Sequence, residues 1–101
     1  MIKSIIIKAQ LHYFALNERS YNKLLTEGLR FSIWRDENDF TAAEISNILD
    51  ESFIKPGEMK EVNLKILNTK LARSIKVGEL LYIGVPHEKI GECHIIDIIS
   101  T

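Results

Sequence analysis

Thr41-Ala42-Ala43-Glu44-Ile45-Ser46-Asn47-Ile48-Leu49 is the stretch whose reading decides the fold. Thr41, followed three residues later by Glu44, matches a capping box, in which the two side chains satisfy backbone N–H groups at a helix start. Ile45, Ile48 and Leu49 then fall on one helical face, so local chemistry by itself predicts a helix over 42–50. The sequence on both sides of it argues for strands.

Upstream, Ile5, Ile7, Ala9, Leu11 and Tyr13 recur at period two, opposite Lys8, Gln10 and His12. Successive strand side chains point to opposite faces, so this pattern predicts a strand with one buried face. Leu29, Phe31 and Ile33 alternate likewise with Arg30, Ser32 and Trp34. Between these runs, 17–27 has helical spacing at Tyr21, Leu24 and Leu25 and stops before Gly28. Downstream, Pro56-Gly57 predicts a type II turn, proline setting φ and glycine supplying the positive φ. Val62, Leu64 and Ile66 then alternate with Glu61, Asn63 and Lys65. Gly78 opens Leu80-Leu81-Tyr82-Ile83, a turn is expected over 84–89, and a last run covers 90–99. In that run Ile96 and Ile98 share a face with His94, while Ile95 and Ile99 share one with Cys93 and Asp97. Apolar residues on both faces predict a strand covered on both sides, or one that docks on a partner or on a second copy.

At 101 residues the chain suits one domain, over 1–101, and is too short for two. Hydrophobic residues at 46% and charged residues at 27% exclude wholesale disorder. A net charge of −1 excludes a protein held to nucleic acid mainly by counterion release, and leaves room for a local basic face. Charge is uneven: six basic residues face two acids over 55–76, and eight acids face four bases over 17–51. A single cysteine, Cys93, excludes an intramolecular disulfide and fits a reducing compartment. No apolar run, Ile5-Ile6-Ile7 included, approaches the roughly 20 residues that span a bilayer. Met1-Ile2-Lys3-Ser4 opens no signal peptide, so a cytoplasmic protein without membrane attachment is expected.

The glycines Gly28, Gly57, Gly78, Gly84 and Gly91 are scattered, and no Gly-Lys-Ser/Thr loop clusters the backbone amides that cradle phosphates. No G-x-G-x-x-G turn, G-x-S-x-G elbow or H-E-x-x-H helix occurs either. Nucleotide-dependent chemistry is therefore not expected. His87 and His94 flank Cys93, and His12 stands apart. In a strand over 90–99, Cys93 and His94 point to opposite faces and cannot share a tetrahedral ion. Asp36-Glu37-Asn38-Asp39 and Asp50-Glu51 lack calcium-loop spacing and read as solvated loop tips. No metal, no cofactor and no catalytic residues are expected. The chain reads as a non-enzyme.

Five segments together carry a resemblance. Phe53-Ile54-Lys55-Pro56-Gly57-Glu58 resembles the Met-Pro-Gly-Asp turn of the C-terminal β-barrel domain of bacterial translation elongation factor Tu and its relatives. Gly78-Glu79-Leu80-Leu81-Tyr82-Ile83 is similar to that family's Gly-Leu-Arg-Phe-Ala-Ile strand. Lys89-Ile90-Gly91 and the run 95–99 are similar to its Thr-Val-Gly-Ala-Gly-Val-Val ending. Glu27-Gly28-Leu29-Arg30-Phe31 resembles Lys-Gly-Tyr-Arg-Pro, and Asp39-Phe40-Thr41 falls on Asp-Val-Thr. The resemblance spans about 5–99 and implies an all-β fold, a closed, six-stranded, mostly antiparallel barrel. It also implies a strand and loop across 41–49, with room for one helical turn. Strand pairing can override local propensities worth tenths of a kcal/mol per residue.

In elongation factors this domain does no chemistry; it packs on the GTPase domain and helps hold the T-stem backbone of aminoacyl-tRNA. No GTPase domain is read here, so GTP-driven delivery is not expected. Carried over position by position, the family's tRNA contacts mostly lose their chemistry. Its glutamine falls on Ser32, its threonine on Thr41, its Glu-Gly pair on Val85-Pro86, its arginine on Glu88 and a glycine on Cys93. Valine offers no side-chain acceptor, and proline no N–H. Only Thr41 matches.

The expectation is a protein-binding barrel, with mimicry of the elongation factor barrel, an accessory role in translation and a degenerate copy with a new partner all open. Its contacts are expected from Arg30, Ser32, Arg35, Thr41, Val85, Pro86 and Glu88, together with the loop 36–40 and the turn 85–89. The alternative is an RNA-binding barrel that uses the basic segment 55–76 with Tyr21, Trp34 or Tyr82 as stacking aromatics.

Overall fold

The computed structural model describes residues 4–15, 23–36, 39–49, 52–85 and 88–100. In chain order the elements are β1 (Ser4–Tyr13), β2 (Leu25–Thr26), β3 (Arg30–Trp34), β4 (Phe40–Ile48), β5 (Phe53–Ile54), β6 (Met59–Leu67), α1 (Lys70–Ser74), β7 (Leu80–Val85) and β8 (Glu88–Ser100). Six strands close on themselves in the order β1-β6-β4-β3-β7-β8, and β2 with β5 makes a separate two-stranded ribbon. Every neighbouring pair is antiparallel, including β1 with β8, which shuts the barrel. The all-β closed barrel expected from the sequence is the fold observed.

Period-two patterning drives it. Ile7, Leu11, Ile33, Ile45, Leu64, Ile66, Leu81 and Ile83 point inward and are wholly shielded from solvent. Each such side chain contributes about 1.5–3 kcal/mol by leaving water. Tyr13, also fully buried, donates its hydroxyl proton to the Lys23 carbonyl and so ties β1 to the segment leading into β2.

The ambiguous stretch is strand. Inward residues Thr41, Ala43 and Ile45 alternate as a pleat requires, and Ile45 pairs with Leu64. A bulge follows: Asn47 lies opposite Asn63 and Ile48 opposite Val62, leaving Ser46 as the extra residue. The Ser46 hydroxyl donates to the Asn63 carbonyl at 3.1 Å. The bulge shifts the phase of the pleat, so Ile45 and Ile48, three apart, both face the core. That spacing is what imitates a helix. Leu49, the third member of the presumed helical face, is 47% exposed.

β8 uses the same device. Ala9 pairs with Ile95 and Lys8 with Asp97, so Ile96 is extra; Ile7 pairs with Ile98 and Ile6 with Ser100, so Ile99 is extra. Ile95 is buried and Ile98 packs partly against the core, while Ile96 and Ile99 stay exposed. The expected sharing of one face by Ile96 and Ile98 is therefore corrected. Cys93 is buried and its neighbour His94 exposed, as their opposite orientations require.

Three further expectations change. β2 pairs with β5, Leu25 with Ile54, so the expected helix over 17–27 does not extend through Leu25 and Thr26; Tyr21 lies outside the described residues. The turn expected over 84–89 is tighter, because Gly84 pairs with Lys89 and Val85 with Glu88. The one helix among the described residues, α1, was not anticipated: Thr69 caps it by accepting from the Ala72 N–H, and Leu71, Ala72 and Ile75 are buried. The Pro56-Gly57 turn forms as predicted, with Gly57 at φ 88° and the Glu58 N–H donating to the Lys55 carbonyl at 3.1 Å.

Candidate interaction surface

The structure divides the residues singled out from the sequence. Arg30 stands on the outer face of β3 with its side chain 82% exposed, and its Nε donates to Glu44 at 2.9 Å. Ser32 shares that face, between Ala42 on β4 and Gly84 on β7. Thr41 points the other way: it is buried, and its hydroxyl donates to the Leu67 carbonyl at 3.4 Å. Val85 and Glu88 pair where β7 meets β8, with Val85 packed partly on the core. Pro86 lies outside the described residues. These positions form no single patch.

Arg35 sits at the far end of β3 and works as a clasp. Its Nε donates to Glu79, its Nη2 reaches the Ser74 carbonyl and hydroxyl at 3.4 and 3.2 Å, and its Nη1 lies 3.8 Å from Asp39. The hydrogen bond from Arg35, aided by the Lys76 backbone N–H, holds the Glu79 carboxyl below the usual carboxylate range against the opposing effect of burial. The same bond raises the Arg35 guanidinium. The hollow beside this clasp, lined by Arg35, Ser74, Lys76, Val77 and Glu79, measures about 470 Å³.

Strand register builds a second feature that crosses all six barrel strands. Phe40 lies opposite Trp34, Trp34 opposite Tyr82, Tyr82 opposite Glu92, Glu92 opposite His12 and His12 opposite Met59. All six side chains face outward, because each is out of phase with the core residues of its strand. The Trp34 ring centroid lies 5.2 Å from that of Phe40 and 6.4 Å from that of Tyr82, with the planes tilted by 46° and 42°. Phe40 is 54% exposed and Met59 50%. Lys89 places its ammonium 4.2 Å from the Tyr82 ring centroid, within cation–π range. Gly84 makes room for the indole: a Cβ there would lie 2.6 Å from the Trp34 ring and 2.3 Å from the Glu88 carbonyl oxygen.

Sequence reading named Trp34, Tyr82 and the loop holding Phe40 separately. Only the pairing of β3 with both β4 and β7 joins them, and one sequence does not disclose which strands pair. Lys89 closes the turn 85–89 already weighed for partner contacts, but its seat on the Tyr82 ring follows only from the pairing of β7 with β8.

Other chemistry is sparse. Burial pushes the Cys93 thiol well up, which disfavours the thiolate. Among the described residues no group of three His, Cys, Asp or Glu side chains is placed to hold a metal ion. Among them, too, no helix is long and apolar enough to cross a membrane. No known family model matches the chain, and no curated protein matches it.

Proposed function

We propose that this chain is a non-enzymatic, cytoplasmic protein-binding barrel of the translation-factor type, which recognises its partner on the outer wall of β3, β4 and β7. The observation that carries this reading is the row Phe40–Trp34–Tyr82, with Phe40 more than half exposed. Aromatic side chains each bury about 150–250 Å² when covered, and tryptophan and tyrosine dominate interface hot spots. The closed barrel supports them rigidly from below.

The alternative, RNA binding, draws less support. Stacking platforms for single strands interleave aromatics with cations. Here Asp36 and Asp39 lie in the connection joining Trp34 to Phe40, Glu92 stands opposite Tyr82, and Arg35 is engaged by Glu79. Lys60 and Lys65 of the basic segment belong to β6, which pairs with β1 and β4 and not with β3 or β7.

The test is photo-cross-linking from a benzophenone amino acid placed at position 40, in cells. Protein adducts that survive ribonuclease treatment, and that disappear when Tyr82→Ala is added, are expected. Adducts to RNA alone would overturn the reading. Binding should also change little between low and physiological salt, whereas a phosphate-directed interface weakens steeply.

A further inference from the structure

We infer that Asp97 guards the end of β8: its carboxylate stands in for the strand that is absent beside Ile98 and keeps that short edge from pairing with a second copy of the chain. The inference lies apart from the aromatic row and does not rest on it.

Every barrel strand has a neighbour on both sides, yet β8 outruns one of its two. Against β1 its pairing continues to Ser100, opposite Ile6. Against β7 the register ends with Leu80 opposite His94. One residue further on, the Ile95 N–H donates to the Glu79 carbonyl at 2.9 Å, and the Ile95 carbonyl accepts from the Gly78 N–H at 2.8 Å. The chain reaches that point through a turn, closed by the Glu79 N–H on the Lys76 carbonyl at 3.1 Å, so it does not run on beside β8. Beyond Ile95 no described strand flanks β8 on that side.

The bulge fixes which backbone groups face the gap. Ile95 points its side chain inward and its N–H toward β7. Ile96 is the extra residue, so Ile98 repeats the orientation of Ile95: its side chain packs on the core and its N–H faces the unflanked side. That N–H donates to Asp97 Oδ1 at 2.9 Å. Among the described residues no cation claims the carboxylate: Lys8, opposite it in register, has its ammonium 3.9 Å from Glu61 instead.

A second copy is the occupant this edge suits. Antiparallel pairing about a two-fold axis sets a residue opposite its own counterpart, and two facing Ile98 residues would exchange both N–H···O bonds. Ile96 and Ile99, 41% and 48% exposed, supply apolar surface beside them. Ile95-Ile96-Asp97-Ile98-Ile99 is a β-branched run that only Asp97 interrupts. Short uncharged runs of this kind self-associate as strands, and a charge set within an edge prevents it. For β8 to pair, the Ile98 N–H must leave Asp97, and the carboxylates of both copies come together beside the axis, where like charges oppose pairing.

Sedimentation equilibrium of the full chain, at neutral pH and from micromolar to millimolar concentration, tests this. Asp97→Ala should dimerise at concentrations about tenfold or more below any association of the wild-type chain. Glu61→Ala makes the same change of charge on β6, which is flanked on both sides, and should match the wild type. Adding Ile98→Pro to Asp97→Ala should restore the monomer, because proline has no N–H, while Ile96 and Ile99 stay in place. Circular dichroism confirms that each variant is folded. Independently of the proline variant, exchange of the Ile98 amide in Asp97→Ala, followed by NMR, should slow as protein concentration rises.

The inference is overturned if Asp97→Ala associates no more readily than the wild type, or if Glu61→Ala associates as strongly as Asp97→Ala. A folded double variant that still dimerises would overturn it too, since the contact would then not be strand pairing. So would an Ile98 amide whose exchange in Asp97→Ala ignores concentration.

Discussion

At the scale of single residues, Glu79 gives the molecule its clearest pH dependence. Its carboxyl is more acidic in the folded chain than in the unfolded one, chiefly through the Arg35 hydrogen bond. The folded state therefore holds fewer protons at this site. The stabilisation is complete above the ordinary carboxylate range and is lost as pH falls through the folded value. Glu79→Gln should lower the urea midpoint at neutral pH and flatten its dependence between about pH 5 and pH 3, where a normal carboxylate begins to protonate. A mutant with an unchanged acid limb would show that the clasp does not set it. Gly84 offers a steric counterpart. A methyl group at 2.3 Å from the Glu88 carbonyl oxygen must move backbone, so Gly84→Ala should cost about 1–3 kcal/mol and alter Trp34 emission. Thermal melts followed by tryptophan fluorescence read both effects at once.

At the scale of elements, the bulges explain both what the sequence discloses and what it conceals. β1 and β6 alternate without interruption across Ile5–Tyr13 and Val62–Ile66, and period two was enough to find them. β4 and β8 carry extra residues at Ser46, Ile96 and Ile99, and there the pattern misleads: once as a helix, once as a strand with two apolar faces. A bulge depends on the partner strand, which a local reading does not contain. α1 escaped for a different reason, since five residues are too few to display a helical period. The aromatic row was legible only in pieces, because Phe40, Trp34 and Tyr82 are brought together by pairing across three strands. The two readings of 41–49 make opposite mutational forecasts. Ile48→Ala should cost about 2–4 kcal/mol because it empties a core position, while Leu49→Ala should stay within about 0.5 kcal/mol. A helix burying both residues would make the two losses similar in urea denaturation.

At the scale of the whole molecule, closure governs behaviour. No barrel strand is an edge, so backbone amides of all six strands should exchange with deuterium at comparable, slow rates. Conspicuously faster exchange in β1 or β8 than in β4 would show that the seam between them opens independently. Phe40→Ala, by contrast, should leave the melting temperature nearly unchanged, because that ring lies outside the closed wall. The seam has a further consequence for biosynthesis. β1 is made first and β8 last, yet the two are hydrogen-bonded neighbours along most of their length. Until β8 has been made and has joined, the other barrel strands form a five-stranded trough, with bare margins on β1 and β7 and its isoleucine lining uncovered. Translational pausing before Glu88 should thus expose an adhesive intermediate that release of the last strand extinguishes.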